Sequence, residues 1–491
     1  MIFNSFNFIF FFLFVSIVPY FFLSKLTSYK FSIIWLLIIS VFFYFLWGIN
    51  FLFYLITTII VNYLLGNLII YYYKKKKFLF SKLFLFFSII LNLFYLGIFK
   101  YYNFFLDILN NLFILNLSKN NFLLPIGISF YTIQQIVYLV QCYGGEVENY
   151  NKKNFLKYFL FVIFFPKIIA GPIVNYKDFT SQFKKNIFKI NFNNLSKGLF
   201  LFSIGLFKKV ILADHLAIWT NNGFSNIYNL NFFESWILCY SYSFQLYFDV
   251  SSYADMAIGA ALFFNLHLPI NFSSPYKQKN ISDLWNSWHM TLTQFINNYI
   301  YRPIIFSFKN ITSYKIVFSI ITTMLIAGLW HGANWTFVML GLLNGIAIAI
   351  YHLVKDYKIN LNKYFAIFIT FTFFSISLLF FRVNNLEEGY FIILSMFSFD
   401  NIMLPGNLHN YLNFLSIFNI KFGTWLYSLR GDYILIIFLI TCSYLIFFCD
   451  NSHQLTKNFK PNIKNYLIII ISFSISILFL NNSFQSIYFK F

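Results

Sequence analysis

The charged residues of this chain cluster at the edges of long apolar runs and are nearly excluded from their interiors. Phe31–Tyr73, Tyr158–Pro166, Leu199–Phe207, Ile316–Tyr351, Tyr364–Phe381, Tyr433–Cys449 and Tyr466–Leu480 contain no Asp, Glu, Lys or Arg. A helix needs about 20 mainly apolar residues to cross a bilayer. The pattern therefore predicts an all-α polytopic membrane protein with roughly eleven transmembrane helices. Phe31–Tyr73 is long enough for two of them, with Gly48 and Asn50 as the turn. One region differs. Ile281–Pro303 is too polar to face lipid, yet Leu284, Trp288, Leu292 and Phe295 recur at helical spacing. It reads as an amphipathic helix, on the surface or dipping into the protein.

Composition turns the pattern into a statement about solvent. Of 491 residues, 59% are hydrophobic, 10% are charged and 74 are Phe. A soluble domain carries roughly 25% charged residues, so this chain lacks the polar surface to coat a globule in water. Residues 1–491 read as a single integral-membrane domain. Met1–Ser24 has no basic start and no small-residue cleavage site, which makes it a first span and not a removed signal peptide.

The net charge of +20 is distributed in blocks beside the runs: Lys74–Lys77; Lys177, Lys184, Lys185 and Lys189; Lys208 with Lys209. Positive-inside bias assigns these blocks to the cytoplasmic face and the N-terminus to the outside. Each basic residue near anionic headgroups gains roughly 1 kcal/mol. They form no single basic face, which argues against nucleic acid as a partner. Cys142, Cys239, Cys442 and Cys449 show neither a CxxC pair nor zinc spacing. They read as inert buried residues, and no metal is expected.

Three textures follow one another. Up to about Leu117 the chain is almost purely apolar helix. From about Asn121 to Val383 it mixes Gly, Pro, His, Trp and acidic residues into apolar sequence. A charge at a helix centre costs about 2.5–3.5 kcal/mol on insertion scales. Function is therefore expected in this middle zone, set against the alternative that its polar groups only join helices. From about Asn384 a polar loop with Pro405 and His409 precedes two more apolar runs.

Within the middle zone, Tyr242–Gly259 places Asp249 and Asp255 among Tyr247, Ser251, Ser252 and Tyr253. Six residues turn a helix by about 600°, so the two carboxylates do not share a face. Neither an acid–base dyad nor a convergent metal site follows. Each Asp accepts hydrogen bonds, pairs with a Lys or Arg, or lines a polar cavity. Trp285 and Trp288 suit a headgroup belt, which leaves His289 beside them unexplained.

The string "GLWHGANW", Gly328–Trp335, interrupts Ile316–Tyr351, a charge-free run too long for one span and barely enough for two. Gly328, Gly332 and Asn334 mark a break. Two short helices then meet near His331, at a depth where broken backbone must be buried or line a cavity. A histidine there serves either as an interhelical hydrogen-bonding group or as a proton acceptor for a hydroxyl. There is no GxSxG, nucleophilic Ser or Cys motif, or Walker sequence. Direct attack by an acceptor hydroxyl on a thioester is the economical chemistry for such a base, and a water-poor site disfavours hydrolysis of the donor.

The strings "PIGISFYTIQQIVYLV" (Pro125–Val140), "AGPIVNYKDF" (Ala170–Phe179), "GLFKKVILADHLA" (Gly205–Ala217), "FQLYFDVSSYADMAIG" (Phe244–Gly259), "LPINFSSPYK" (Leu268–Lys277), "LWNSWHMTLTQFINNYIYRP" (Leu284–Pro303), "GLWHGANW" and "FFRVNNLEEG" (Phe380–Gly389) occur in this order. Together they resemble the membrane-bound O-acyltransferases, in particular the bacterial branch that O-acetylates alginate, peptidoglycan and other exported polysaccharides. The resemblance covers 125–389. It implies a ring of helices around a thinned central cavity. It also implies a cytoplasmic acyl thioester donor such as acetyl-CoA, with no cofactor bound, and a periplasmic or membrane-anchored acetyltransferase partner that passes the group to a polysaccharide. His331 falls on the family's catalytic histidine and His289 on its second characteristic histidine. Asn286, Trp288, Trp330 and Asn334 become candidates for holding substrate or supporting the histidines. So do Trp335, Tyr247 and Asp249. Gln141 stands where an acidic residue is usual, and "YRPIIFSFKN" lacks the customary glycine-rich turn.

Rival readings are a transporter or channel using Asp249, Asp255, His289 and His331 as a proton relay, a family member acting on lipid or teichoic acid, and a scaffold anchoring a secreted acetylase. No inverted repeat supports the transporter.

Overall fold

In an apolar chain, helices stop where a residue cannot continue them or where tertiary hydrogen bonds offer something better. The computed structural model describes residues 1–26, 29–120, 122–147, 152–357, 361–482 and 484. Among these, the chain is a helical membrane protein, and its regular structure outside helices is one pair of parallel three-residue strands. Met403–Pro405 pairs with Lys421–Gly423, Met403 opposite Lys421, within the polar loop noted above.

Five described helices are long and apolar enough to cross a membrane: Asn7–Lys25, Ile49–Lys74, Phe78–Phe113, Ser313–His331 and Trp335–Tyr357. Shorter apolar helices of 10–17 residues include Tyr29–Phe45, Lys363–Leu379, Tyr433–Phe447 and Ile463–Leu478. The chain divides into two compact units. One comprises 1–206, 252–270 and 456–480, and the other 207–251, 271–455 and 481–491.

In the first unit, the Phe31–Tyr73 run is two helices, Tyr29–Phe45 and Ile49–Lys74. Gly48 makes the turn at φ +139°, a conformation open to glycine and strained for other residues. Asn50 lies inside the second helix, not in the turn. The supposedly plain apolar zone carries a buried polar seam. The Asn62 side-chain amide donates to Gln135 Oε1 (2.7 Å), Asn92 donates to Asn62 Oδ1 (2.6 Å), and Gln135 donates to Thr58 Oγ1 (3.1 Å). The seam joins Ile49–Lys74, Phe78–Leu96 and Ile128–Tyr143. Hydrogen bonds of this kind between membrane helices contribute on the order of 0.6 kcal/mol each. Gln141, the departure from the family pattern, accepts the Tyr176 amide (2.9 Å) and donates to Glu146 (3.0 Å), so its work is local bracing.

The second unit holds the helical hairpin Ser313–His331 and Trp335–Val354. The sequence suggested two curtailed helices. Both are full length, at 19 and 20 residues, because each extends past the uncharged run at its far end. Gly328 is likewise not part of the break. A Cβ there would lie 2.2 Å from the Phe337 carbonyl oxygen, and one on Gly341 would lie 2.3 Å from the Met324 carbonyl oxygen. The two glycines let the helix backbones touch, as small residues do in membrane interfaces. Gly341→Ala is expected to push the helices apart and destabilise the protein by about 1–3 kcal/mol, the usual cost of overpacking. Thermal melting of the detergent-purified variant checks this; an unchanged midpoint would reject the close crossing.

The amphipathic stretch also differs from expectation. It is broken into Ile281–Ser287 and Met290–Ile296, with Trp288 extended and His289 left-handed at φ +43°. The chain is caught there by a distant segment. The Ser273 amide donates to Ser287 O (2.9 Å) and the Met290 amide donates to Asn271 O (2.8 Å). Asn271 Oδ1 accepts the Thr291 hydroxyl (2.9 Å). Helical periodicity cannot reveal a stop imposed by a segment elsewhere in the chain.

Candidate active site

His331 is the last residue of its helix, and the backbone beyond it is extended at Gly332. Gly332 is needed for space. A Cβ there would overlap the Phe337 ring, with the nearest carbon at 2.1 Å. That ring lies edge-on to Phe381 (5.3 Å between centroids), and Phe381 in turn lies edge-on to the His331 imidazole (5.2 Å). Asn334 caps the next helix, accepting from the Thr336 amide at 3.2 Å, and donates to the Asn384 carbonyl at 2.8 Å. The break is thereby tied to the loop that follows Phe381. His331 is buried but not sealed, with 7% of its surface exposed.

Trp330 brings the two histidines into one site. Its ring is edge-on to His331 at 5.0 Å and edge-on to His289 at 6.5 Å. His289 is 2% exposed and packs against Phe272. Burial lowers its pKa to about 4, so the imidazole is neutral at cellular pH. A left-handed non-glycine residue is uncommon, and such strain concentrates at functional positions. Here it points to a ring whose placement matters more than local backbone comfort.

The other candidates separate into roles. Trp288 is buried, stacked on Tyr276 (5.9 Å) and edge-on to Phe272 and Phe374. Tyr247 packs on Tyr276 and Trp288, which makes it part of the wall behind His289. Asn286 lines a cavity of about 250 Å³ together with Asn297, Tyr301, Ala327, His352 and Lys355. Ala327 lies one helical turn before His331 and on the same face. Trp335 is 53% exposed on the first turn of its helix. Asn334 is occupied as a cap.

Asp249 takes the ion-pair alternative. Its carboxylate lies 2.8 Å from the Lys209 ammonium, which also holds Asp214 at 2.7 Å. All three are buried. This overturns the topological reading of Lys208 and Lys209, which are only 9% and 4% exposed. Lys208 lies over the Tyr247 ring at 5.7 Å. Lysines at the end of an apolar run look alike in sequence whether headgroups or a carboxylate pair awaits them. The aspartates in "KKVILAD" and "YFDV" were the available signal. Phe381, Asn271 and the far end of the cavity were missed as site residues. Only the strings "FFRVNN" and "LPINF" carried the first two.

The family model described as MBOAT, membrane-bound O-acyltransferase family, matches residues 111–360, which include both histidines. A peptidoglycan O-acetyltransferase of Helicobacter pylori is 36% identical across 100% of this chain and 97% of its own length. This chain belongs to the membrane-bound O-acyltransferase family. A probable alginate O-acetylase of Pseudomonas aeruginosa is 32% identical over 81% of this chain and 75% of its own. A teichoic acid D-alanyltransferase of Bacillus subtilis is 26% identical over 49% of this chain and 62% of its own. The protein is thus an acyltransferase of the O-acetylating bacterial branch of the family, and a transporter reading of its buried His and Asp residues falls away. Among the described residues no group of three or more His, Cys, Asp or Glu side chains is arranged to hold a metal ion.

Proposed function

We propose that this membrane-bound O-acyltransferase accepts an acetyl group from a cytoplasmic thioester, acetyl-CoA or a related acyl thioester. It passes the group outward toward O-acetylation of an exported or cell-wall polysaccharide, through a periplasmic or membrane-anchored acetyltransferase partner. The protein is a multi-pass component of the bacterial cytoplasmic membrane. In this reading His331 is the general base. It takes the proton of the acceptor hydroxyl as the oxygen attacks the thioester carbonyl. The tetrahedral intermediate then expels the thiolate, which recovers the proton from the imidazolium. An ester and a free thiol result, with no net proton change. Neutral His289 stabilises the oxyanion or positions the thioester, as hydrogen-bond donors aimed at developing charge do.

The observation that carries the proposal is the cavity lined in part by Ala327, one turn from His331 on the same helix face. Its lining also includes His352 and Lys355, at the end of the hairpin where Lys315 begins the first helix, and positive-inside bias assigns such basic helix ends to the cytoplasm. An apolar throat with a cation at its mouth suits the arm of a phosphate-bearing thioester. Ala327→Phe would fill the throat. It is expected to raise KM for acetyl-CoA at least about tenfold, the equivalent of about 1.4 kcal/mol, and to leave acceptor dependence unchanged. Transfer of labelled acetyl from acetyl-CoA in isolated membranes checks this; an unaltered donor KM would remove the cavity from the donor path.

A further inference from the structure

We propose that a polar cavity in the first unit binds the headgroup of a phospholipid that carries a primary ammonium beside its phosphate, as phosphatidylethanolamine does. The proposal stands apart from the acyl-transfer reading and does not depend on it. The cavity is lined by the Lys152–Ile163 helix, the short Tyr176–Thr180 helix and the turn at Glu146. It measures about 340 Å³, within the range of small-ligand sites. Its walls include Glu146, Lys157, Lys177, Thr180 and Ser181. Neither lysine forms an ion pair with a described residue. Glu146 is held elsewhere: Oε2 accepts the Gln141 side-chain amide at 3.0 Å, and its backbone amide donates to Gln141 O at 3.0 Å. Two cations and a carboxylate thus share one cavity without pairing. A phosphate and an ammonium on one ligand answer both. The lysines take the phosphate oxygens, and Glu146 takes the ammonium. The Thr180 hydroxyl donates to Tyr176 O (2.8 Å) and the Ser181 hydroxyl to Asp178 O (3.1 Å). Their oxygens are left as acceptors, which suits a group with three donors.

The position of the cavity favours a lipid over a soluble amine. Gly145, next to Glu146, lies against the Tyr73 ring, and a Cβ on that glycine would come within 2.9 Å of it. Tyr73 directly precedes the Lys74–Lys77 block at the end of the Ile49–Lys74 span, which positive-inside bias assigns to the cytoplasmic surface. Phe155 is edge-on to Tyr63 of that span at 5.0 Å, so the helix that carries Lys157 lies against it. Leu156, beside Lys157 in the chain, is exposed and offers apolar surface to an acyl chain. The lysines of the block are all exposed, and attraction to a diffuse layer of anionic headgroups accounts for them. It does not account for Lys157, which is half-buried and lines a cavity together with a carboxylate.

The test is competition for radiolabelled phosphatidylethanolamine bound to the full-length protein in detergent. Unlabelled phosphatidylethanolamine is expected to compete at least about tenfold more strongly than phosphatidylglycerol, which lacks the ammonium, or phosphatidylcholine, whose methylated nitrogen has no N–H to donate. Soluble phosphoethanolamine should compete far more weakly than the lipid. Glu146→Gln keeps an oxygen for Gln141 and should erase the preference for phosphatidylethanolamine over the other two lipids. Lys157→Gln and Lys177→Gln, made singly, should each weaken binding of all three. An unchanged melting temperature without added lipid shows that a variant is folded. The wild-type ranking can overturn the proposal without any variant: no binding of the labelled lipid, equal competition by the three lipids, or phosphatidylglycerol ahead of phosphatidylethanolamine would each do so. A preference that survives Glu146→Gln would overturn it as well. Equal competition by soluble phosphoethanolamine would overturn the lipid as the ligand.

Discussion

Replacing His331 by alanine will lower acetyl transfer by about 10²–10⁴-fold, the usual contribution of a positioned general base. The amount and melting temperature of the protein are expected to change little. The ring ends its helix, and its neighbours Trp330 and Phe381 have other contacts in Trp330–His289 and Phe381–Phe337. The residual rate would come from holding donor and acceptor together. The measurement is incorporation of labelled acetyl from acetyl-CoA into the polysaccharide fraction by membranes containing matched amounts of each protein. A variant that transfers at nearly the wild-type rate would reduce His331 to a packing residue. The same outcome, with the protein still required for acetylation in cells, would favour a scaffold for a secreted acetylase.

The largest stability effect is expected at Lys209. Its ammonium pairs with two carboxylates whose side chains, with its own, are no more than 5% exposed. Lys209→Met keeps the apolar stem but removes the ammonium from Asp214 and Asp249 in a water-poor interior. Removing one partner of a buried ion pair costs about 3–5 kcal/mol, because the other charge is left uncompensated. A fall in folded yield and in melting temperature is therefore expected. Adding Asp214→Asn and Asp249→Asn to the same chain should recover much of it, since the neutral amides no longer carry the desolvation penalty of an unpaired charge. If Lys209→Met alone melts like wild type, the cluster is not holding these segments together. If the triple variant is worse than the single one, hydrogen bonding and not charge governs the site.

The candidate site was legible in parts. "GLWHGANW" announced both the histidine and the interruption, because glycine and asparagine are poor residues for a helix interior wherever they sit. It did not separate the glycines. Gly332 makes room for Phe337, whereas Gly328 serves a helix crossing with Gly341, and nothing in the local string distinguishes these duties. His289 could be picked out as an unexplained histidine beside tryptophans. Its backbone could not, because the left-handed turn is imposed by Asn271 from another part of the chain. Lys209 shows the same limit from the other direction, since its surroundings look like a span boundary until Asp214 and Asp249 are brought to it.

By itself the sequence determined the solvent and the class. A chain with 59% hydrophobic and 10% charged residues has to use lipid as its surroundings, and backbone groups in lipid have to be satisfied within helices. The residues that could carry proton chemistry were visible for the same reason, since polar groups in such a chain are few. Only the tertiary structure decided that Trp330 packs against both imidazoles, that Asp249 belongs to Lys209, and that a cavity is lined by Ala327, one turn from His331. Hydropathy is a property of each residue with its solvent and can be summed along the chain. These contacts join residues far apart in that chain, and only packing brings them together.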